Sequence, residues 1–321
     1  MKKIAIVGAG VAGLTALQAL REQGHEITVF DKSRGSGGRL SSKKVGDSSW
    51  DMGAQFLRAH TPQFAAPLKI WEQQGWISEW QVTPWLISAE EQGPSPDEAT
   101  RYVGMPRMTG LSRKLLEGAH EFVTQTRITD ARYPGQWMLS SEDGQEFGPF
   151  DELILNVPPQ QALPLLPATS ALAAQIESLQ MLPCWTLLLG FTQTLTTDFD
   201  AAFVKDSPIA WVARNNSKHG RDSDEAWVVQ ASHEWSTRMI DAPREEVQRE
   251  LTQAFTQLAG ELPDTSNTWL HRWLYSVPAD APKLGALRDE PHNLTLCGDW
   301  CESPSVEGAW ISGQKAAAFL E

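Results

Sequence analysis

Cysteine and tyrosine are both scarce in this chain, with three of each among 321 residues. Cys184, Cys297 and Cys301 are an odd number without a framework of spacings, which excludes a disulfide scaffold and points to a reducing compartment. Cys297 and Cys301 are four apart, but no His or Cys pair completes a zinc set, so no metal site is expected and the thiols read as buried. No apolar run reaches the length needed to cross a bilayer. Basic residues are also few. Lys plus Arg total 27 against 40 Asp plus Glu, a net charge of −13, which disfavours nucleic acid and anionic membranes as partners. A local basic pocket for a phosphorylated ligand is still allowed. The first motif begins at Ile4 and the chain stops at Glu321, so no leader, transit peptide or tail anchor is expected and a cytoplasmic location follows. Internal repeats, heptads and low-complexity tracts are missing.

Hydrophobic residues make up 41% and charged ones 21%, the balance of a globular protein, and the length suits two domains. Fourteen tryptophans are many. Most must be core or interface residues, leaving one or two to stack on a flat ligand.

The densest information lies in residues 4–39. Ile4-Ala-Ile-Val reads as a short buried strand, followed by Gly8-x-Gly10-x-x-Gly13 and a helical pattern. Gly8 permits a tight turn, Gly10 lets a pyrophosphate approach the backbone, and Gly13, next to Ala12, lets the helix pack on the strand. The helix N-terminus offers N–H groups and a positive dipole end. A second strand, 27–31, ends at Asp31, where a carboxylate can bind a ribose diol. A second glycine-rich, basic turn follows directly, from Lys32 through Gly37, Gly38 and Arg39. It reads as a second grip on the same pyrophosphate, with Arg39 as paired donor, in preference to a solvated loop.

Further along, residues 60–100 form a tryptophan-rich stretch ending in a polar turn at 90–97. Met105-Pro106-Arg-Met108-Thr-Gly-Leu111 opens a helix, with Leu111, Leu115 and Leu116 at helical spacing. Residues 121–156 predict three strands, 121–128, 136–140 and 152–156, as an antiparallel meander. Strand-like runs follow at 185–191, 209–213, 227–231 and 271–275, with a helix over 243–259. A last strand leads to Gly298-Asp299, and a last helix opens at Glu307-Gly308-Ala309. That element returns a carboxylate and a fresh helix N-terminus, which a flavin uses at its ribityl or phosphate hydroxyls and at the pyrimidine edge, where charge collects on reduction.

Three elements in this order resemble flavin-dependent amine oxidases: the glycine fingerprint with Asp31, Gly37-Gly38-Arg39, and Gly298-Asp299 before Glu307-Gly308-Ala309. More closely, Asp31-Lys-Ser-Arg-Gly-Ser-Gly-Gly-Arg39, Asp51-Met-Gly-Ala-Gln55, Ser95-Pro-Asp97, Asp206-Ser-Pro208, Trp211-x-Ala-Arg214-Asn215, His271-Arg-Trp-Leu-Tyr275 and Cys297-Gly-Asp-Trp-Cys301 resemble the bacterial renalase group, along nearly the whole chain. The resemblance implies an α/β fold with a discontinuous Rossmann-like FAD-binding domain (1–59, 101–159 and 285–321). It also implies an α+β substrate domain on a mixed or antiparallel sheet (60–100 and 160–284). It implies non-covalent FAD and oxidation of 2- or 6-dihydro isomers of NAD(P)H to NAD(P)+, with dioxygen reduced to hydrogen peroxide. By position, Asp31 with Lys32 would meet the adenosine ribose, Gly38 and Arg39 the pyrophosphate, and Ile128 the adenine through its backbone. Gly53, Ala54 and Gln55 would line the flavin ring, Asp299 would meet the ribityl or phosphate side, and Glu307, Gly308 and Ala309 the pyrimidine edge.

Two departures from the amine-oxidase pattern stand out. Three tyrosines supply no paired cage, and the lysine those enzymes keep near flavin N5 has no counterpart in an apolar strand, since only Lys205, Lys218, Lys283 and Lys315 follow residue 160. Hydride transfer from a dihydronicotinamide needs little acid–base help, so no catalytic residue is assigned and flavin N5 is the acceptor. The substrate holders are sought among Gln55, Arg58, Arg214, Asn215, His233, Trp273, Tyr275 and Trp300. The alternatives are an amine oxidase or desaturase with an apolar substrate, and a dinucleotide-binding protein without turnover, which the colour of the purified protein and assays with amines would separate.

Overall fold

The computed structural model describes residues 1–45, 48–221 and 224–320. Its first sheet has six strands in the order Ala286–Asp289, Leu294–Cys297, Glu152–Leu155, Lys3–Val7, Glu26–Phe30 and Glu121–Val123. All neighbours pair in parallel except the antiparallel edge at Ala286–Asp289. The central strands are apolar on both faces because both faces are covered. Ile4, Ile6, Ile27 and Val29 pack towards the helices Val11–Glu22 and Val306–Ala318. Ala5, Val7 and Phe30 pack on the other side against a three-stranded meander, where Phe30 meets Phe147 and Phe150 edge to face.

That meander is Ile128–Arg132, Trp137–Ser141 and Glu146–Phe150, which corrects the sequence expectation for 121–156. Glu121–Val123 and Glu152–Leu155 leave it to join the parallel sheet. Residues 152–155 are buried without alternation, the mark of a strand covered on both faces.

The second sheet has seven strands: Thr265–Pro278, Met181–Phe191, Ala226–Ala231, Ile209–Arg214, Ala201–Val204, Trp85–Ile87 and Gln92–Pro94. It is antiparallel except where Ala201–Val204 runs parallel to Trp85–Ile87. Its outer face carries Trp185, Leu187, Leu189, Trp227 and Val229, covered by Val247, Leu251 and Phe255 of the helix Arg244–Ala259. The opposite, inner face looks towards the 50–55 segment and is described below. The protein is thus an α/β fold with a Rossmann-like dinucleotide-binding unit and a sheet-based second unit. Among the described residues, no helix is long and apolar enough to cross a membrane.

Two helices fix the mouth of the first unit. The helices Val11–Glu22 and Val306–Ala318 cross so closely that a Cβ on Gly313 would lie 2.3 Å from the carbonyl oxygen of Ala12. Gly313→Val should therefore force the helices apart and lower unfolding stability by about 1–3 kcal/mol, the usual penalty of overpacking. Urea melts read this directly, and an unchanged midpoint would refute the close crossing.

Candidate functional site

The glycine fingerprint builds a cradle that a side chain would fill. Gly8 sits at φ 105°, and a Cβ there would lie 2.2 Å from the Asn156 carbonyl oxygen. The helix starting at Val11 has Gly10 as its N-cap in an extended conformation, with no side chain closing its first N–H groups. Those donors stay available for an anion. Asp31 is held against the same loop: Ala9 N–H donates to Oδ2 at 2.8 Å and Ser33 N–H to Oδ1 at 2.7 Å. The second glycine turn abuts the first, since Gly37 N–H donates to Ala9 O at 2.8 Å. Gly38 lies against Gly10, and Ala54 N–H donates to Arg39 O at 2.8 Å, so the two turns and the 53–55 segment form one wall. The uncapped helix end, the cradle and the carboxylate fit a dinucleotide. Asn156, missed in the sequence, ties in Gly8 O through its side-chain amide at 3.1 Å. It is the polar end of the buried 153–156 run.

Arg39 and Asp299, expected to grip different parts of the cofactor, form one bidentate pair at 2.7 and 2.5 Å. Arg39 also donates to Ser276 O at 2.8 Å, linking the cradle to the second sheet. Ala12 is buried beneath its helix, and Ile128 is buried at the start of the meander. Lys32, its pKa lowered by burial and by Arg127, lines an open cleft with Gln125, Arg127, Glu142 and Asp143. The Glu307 carboxylate is taken by His60 N–H, Thr61 N–H and the Thr61 hydroxyl, and Gly308 N–H by Ser305 Oγ, while Ala309 N–H donates to Ser305 O. These hydrogen bonds brace the entry to the last helix against the 60–61 segment.

On the other wall, Asp51 is a buried hub. Arg221 donates to its Oδ2 from Nη2 at 2.6 Å and from Nε at 3.2 Å, and Lys218 Nζ stands 3.5 Å away. Ser42 Oγ and Met108 N–H donate to Oδ1 at 2.9 and 3.0 Å. Burial alone would raise the carboxyl, but Lys218, Arg221 and the Met108 amide outweigh it and hold Asp51 below the ordinary carboxylate range. Lys218 Nζ also donates to Gln55 Oε1 at 2.9 Å, while Gln55 Nε2 donates to Asp51 O and Gly53 O. Asn215 closes the joint, taking Asp51 N–H at 3.1 Å and giving to Ser49 O at 2.6 Å. A lysine buried beside the 53–55 segment therefore does exist, on the turn after Ile209–Arg214. The sequence pass sought it inside a strand and missed it.

The inner face of the second sheet meets this segment. Register sets Trp211 beside Gln230, Gln230 beside Thr186, and Thr186 beside His271, all pointing to one face. Gln230 donates to Gly53 O at 2.7 Å and Trp273 Nε1 to Met52 O at 3.1 Å. Trp211 packs among Phe203, Phe56 and Trp80. One polar atom of this row, Trp211 Nε1, is buried without a hydrogen-bond partner, and so is nearby Trp50 Nε1, while the buried Thr186 hydroxyl has the Cys184 thiol as its neighbour. The Cys184 thiol adjoins Thr186 and stays protonated, because burial pushes it up to about 12. Burial, with Arg244 and Lys43, lowers the His271 pKa, so the ring is neutral near pH 7. Polar letters at alternate positions of otherwise apolar runs, Thr186 and Gln230, were the signal that could have found this row.

Of the other proposed substrate holders, Tyr275 shares this strand face with Trp273 and is half-buried. Arg58 pairs with Asp97 at 2.8 Å, a carboxylate shared with Arg101. His233 Nδ1 lies 2.9 Å from Pro183 O in the first turn of a short helix. Two are corrected. Arg214 points to the outer face, over Trp227 and paired with Asp200 and Glu225, because it is in register with Trp227. Trp300 is core, its indole N–H given to Val157 O at 3.1 Å.

This arrangement defines a dinucleotide-dependent oxidoreductase. The family model for flavin containing amine oxidoreductases matches residues 112–320, and one for an NAD(P)-binding Rossmann-like domain matches 6–69. The chain belongs to the flavin-containing amine oxidoreductase family, and its cofactor is non-covalently bound FAD. Similar solved structures include a protoporphyrinogen oxidase candidate from Exiguobacterium sp. 255-15 (TM-score 0.80, 12% identity, 99% of this chain and 98% of that one). A putrescine oxidase bound to putrescine has TM-score 0.75 and 14% identity over 99% and 98%. At such identity they show the fold alone. A curated relative, 4,4'-diapophytoene desaturase of Staphylococcus aureus (strain Newman), is 47% identical over 51 residues, which is 16% of this chain and only 10% of that protein.

Asp31→Ala should raise the dissociation constant for FAD about tenfold or more, since a charge-assisted hydrogen bond is worth about 1.5–3 kcal/mol. Fluorescence titration of the apoprotein measures it, and parental affinity would remove Asp31 from the cofactor site.

Proposed function

We propose that the protein oxidises 2- or 6-dihydro isomers of NAD(P)H to NAD(P)+, as the renalase resemblance implies. The observation that carries this reading is the buried, unpartnered Trp211 Nε1 on the sheet face beside Gln230, with the Thr186 hydroxyl, whose neighbour is the Cys184 thiol, on the same face. Leaving such a group unpaired costs about 1–3 kcal/mol, so the face is built for a ligand that pairs it. A carboxamide carries both an acceptor for an indole N–H and donors for a hydroxyl. A polyene carries neither, which weighs against desaturation. A protonated amine needs an anion, and Asp51, the carboxylate next to Gln55, is already committed to two cations. His271 stays neutral and Lys218 repels a cation.

FAD supplies the two-electron acceptor, with dioxygen as final acceptor and hydrogen peroxide as product. The chain's own work is positioning and water exclusion. The ring nitrogen of the dihydropyridine provides the electron push, so the residues need only hold the ring flat on the flavin, at the edge where the sheet face meets the 53–55 segment. Trp273 and Gln230, anchored on Met52 O and Gly53 O, set the spacing of those two walls. A second reading, oxidation of an amine, is favoured by the aromatic group of Phe56, Trp80, Phe203 and Trp211 next to Lys218.

Anaerobic mixing separates the two. Fast loss of flavin absorbance with 2- or 6-dihydro-NAD(P), and none with primary or secondary amines, is expected. The reverse pattern would transfer the protein to the amine reading. Thr186→Val should raise the half-saturating dihydronicotinamide concentration about tenfold, as one lost hydrogen bond of about 1–1.5 kcal/mol requires. The flavin spectrum should be intact, and unchanged saturation would disconnect Thr186 from substrate.

A further inference from the structure

Arg58 and Arg101 come from separate segments and are set side by side by the backbone. Leu57 and Tyr102 form an antiparallel bridge, with N–H to carbonyl bonds of 2.7 and 2.9 Å in the two directions, and this puts residue 58 next to residue 101. Both guanidiniums then reach one atom. Arg58 Nη1 stands 2.8 Å and Arg101 Nη2 2.7 Å from Oδ2 of Asp97. The other oxygen, Oδ1, accepts the Ala99 N–H at 3.0 Å. Two cations therefore share one carboxylate, and among the described residues neither arginine has a second ion pair.

The two arginines differ in what they have left to give. Arg101 is 2% exposed and donates from Nη1 to Ala99 O at 2.9 Å, so it belongs to the fold. Its Nε is buried without a hydrogen-bond partner. Burial, and Arg58 beside it, hold the Arg101 pKa below its ordinary value although Asp97 acts the other way. Asp97 thus falls short as the counter-ion of both groups. Arg58 is 34% exposed and spends Nη1 on Asp97, which leaves most of its planar fork of donors for a second anion. A fork of that shape matches a phosphate.

The location gives the anion a source. The Arg101 guanidinium lies 5.3 Å from the centre of the Phe56 ring, and Phe56 lies 5.6 Å from the Trp211 ring. The cluster is one aromatic ring away from the indole N–H that awaits the carboxamide. In a nicotinamide nucleotide the first phosphate is one ribose away from the ring.

We propose that Arg58, steadied by Arg101 through their shared Asp97, binds the phosphate next to the nicotinamide ribose of the substrate, so that nucleotides are selected over the bare nucleoside. The proposal rests on the dihydronicotinamide reading for the identity of the ligand.

The test compares 2- or 6-dihydronicotinamide mononucleotide with the matching riboside, which lacks the phosphate, on the FAD-loaded protein. Parental kcat/KM should favour the mononucleotide about tenfold or more, through KM, as a charge-assisted hydrogen bond requires. In Arg58→Met that preference should vanish. Arg58→Lys, which keeps the charge without the fork, should retain part of it. Inorganic pyrophosphate is then titrated into the holoprotein, whose glycine cradle is filled by FAD. It should bind the parent and lose about tenfold in affinity in Arg58→Met. In Asp97→Asn, which removes the competing carboxylate, pyrophosphate should bind more tightly and raise the melting temperature by more than in the parent. An Arg58–Asp97 pair that only braces the fold would give no such gain. An undiminished preference for the mononucleotide in Arg58→Met would overturn the proposal, as would equal pyrophosphate affinity in parent and variant. Pyrophosphate binding through Arg58 with no parental preference for the mononucleotide would mark a site for free anions and also overturn it. A parent that oxidises neither nicotinamide compound would strike the dihydronicotinamide reading instead, and the pyrophosphate titration, which needs no turnover, would still decide whether Arg58 holds a phosphate.

Discussion

A single buried carboxylate joins the two halves of this protein. Asp51 ends a hairpin strand attached to the dinucleotide-binding unit, and its oxygens draw in Arg221 and Lys218 from the turn that follows a strand of the second sheet. Asn215 adds a neutral clasp to the backbone at Ser49 and Asp51. Together with Gln230 on Gly53 O and Trp273 on Met52 O, these contacts fix the inner sheet face against the 53–55 segment. Truncating a partner of a buried charge pair leaves an uncompensated ion, which costs far more than a surface pair. The position of the inner sheet face against the 53–55 segment therefore leans on this buried contact.

Around that joint the chain divides labour. The glycine turns at 8–13 and 37–38 present backbone and leave out side chains, as a pyrophosphate requires. The second sheet does the opposite. Its outer face is sealed by a helix, and its inner face mixes Trp211, Gln230, Thr186 and His271, a composition too polar for a sealed core and too apolar for open surface. A shared fold supports unrelated substrates, and the substrate contacts proposed above lie on this row.

Much of this was legible in the sequence where local backbone chemistry decides. The strand–glycine turn–helix unit and Asp31 could be read because each glycine answers a local steric demand. The meander was misassigned at both ends because parallel pairing between Lys3–Val7 and Glu152–Leu155 is a contact across about half the chain, which period and turn signals do not encode. Arg214 and Trp300 were misread for a related reason: a motif quotes residues without saying to which face of a sheet they point. Lys218 escaped because a turn residue is ordinarily solvated, and only tertiary packing buries it. The Arg39–Asp299 pair joins two elements far apart in the chain, a contact that local patterns do not encode.

The central claim is that the polar row of the inner sheet face and the 53–55 segment enclose the reacting ring. A crystal structure of the FAD-loaded protein with NAD+ bound tests it most directly. The account predicts the nicotinamide carboxamide within hydrogen-bond distance of Thr186 Oγ1 or Trp211 Nε1, with its ring between Gln230 and the flavin. A dinucleotide seated elsewhere, with Thr186 and Trp211 still buried and out of its reach, would contradict it.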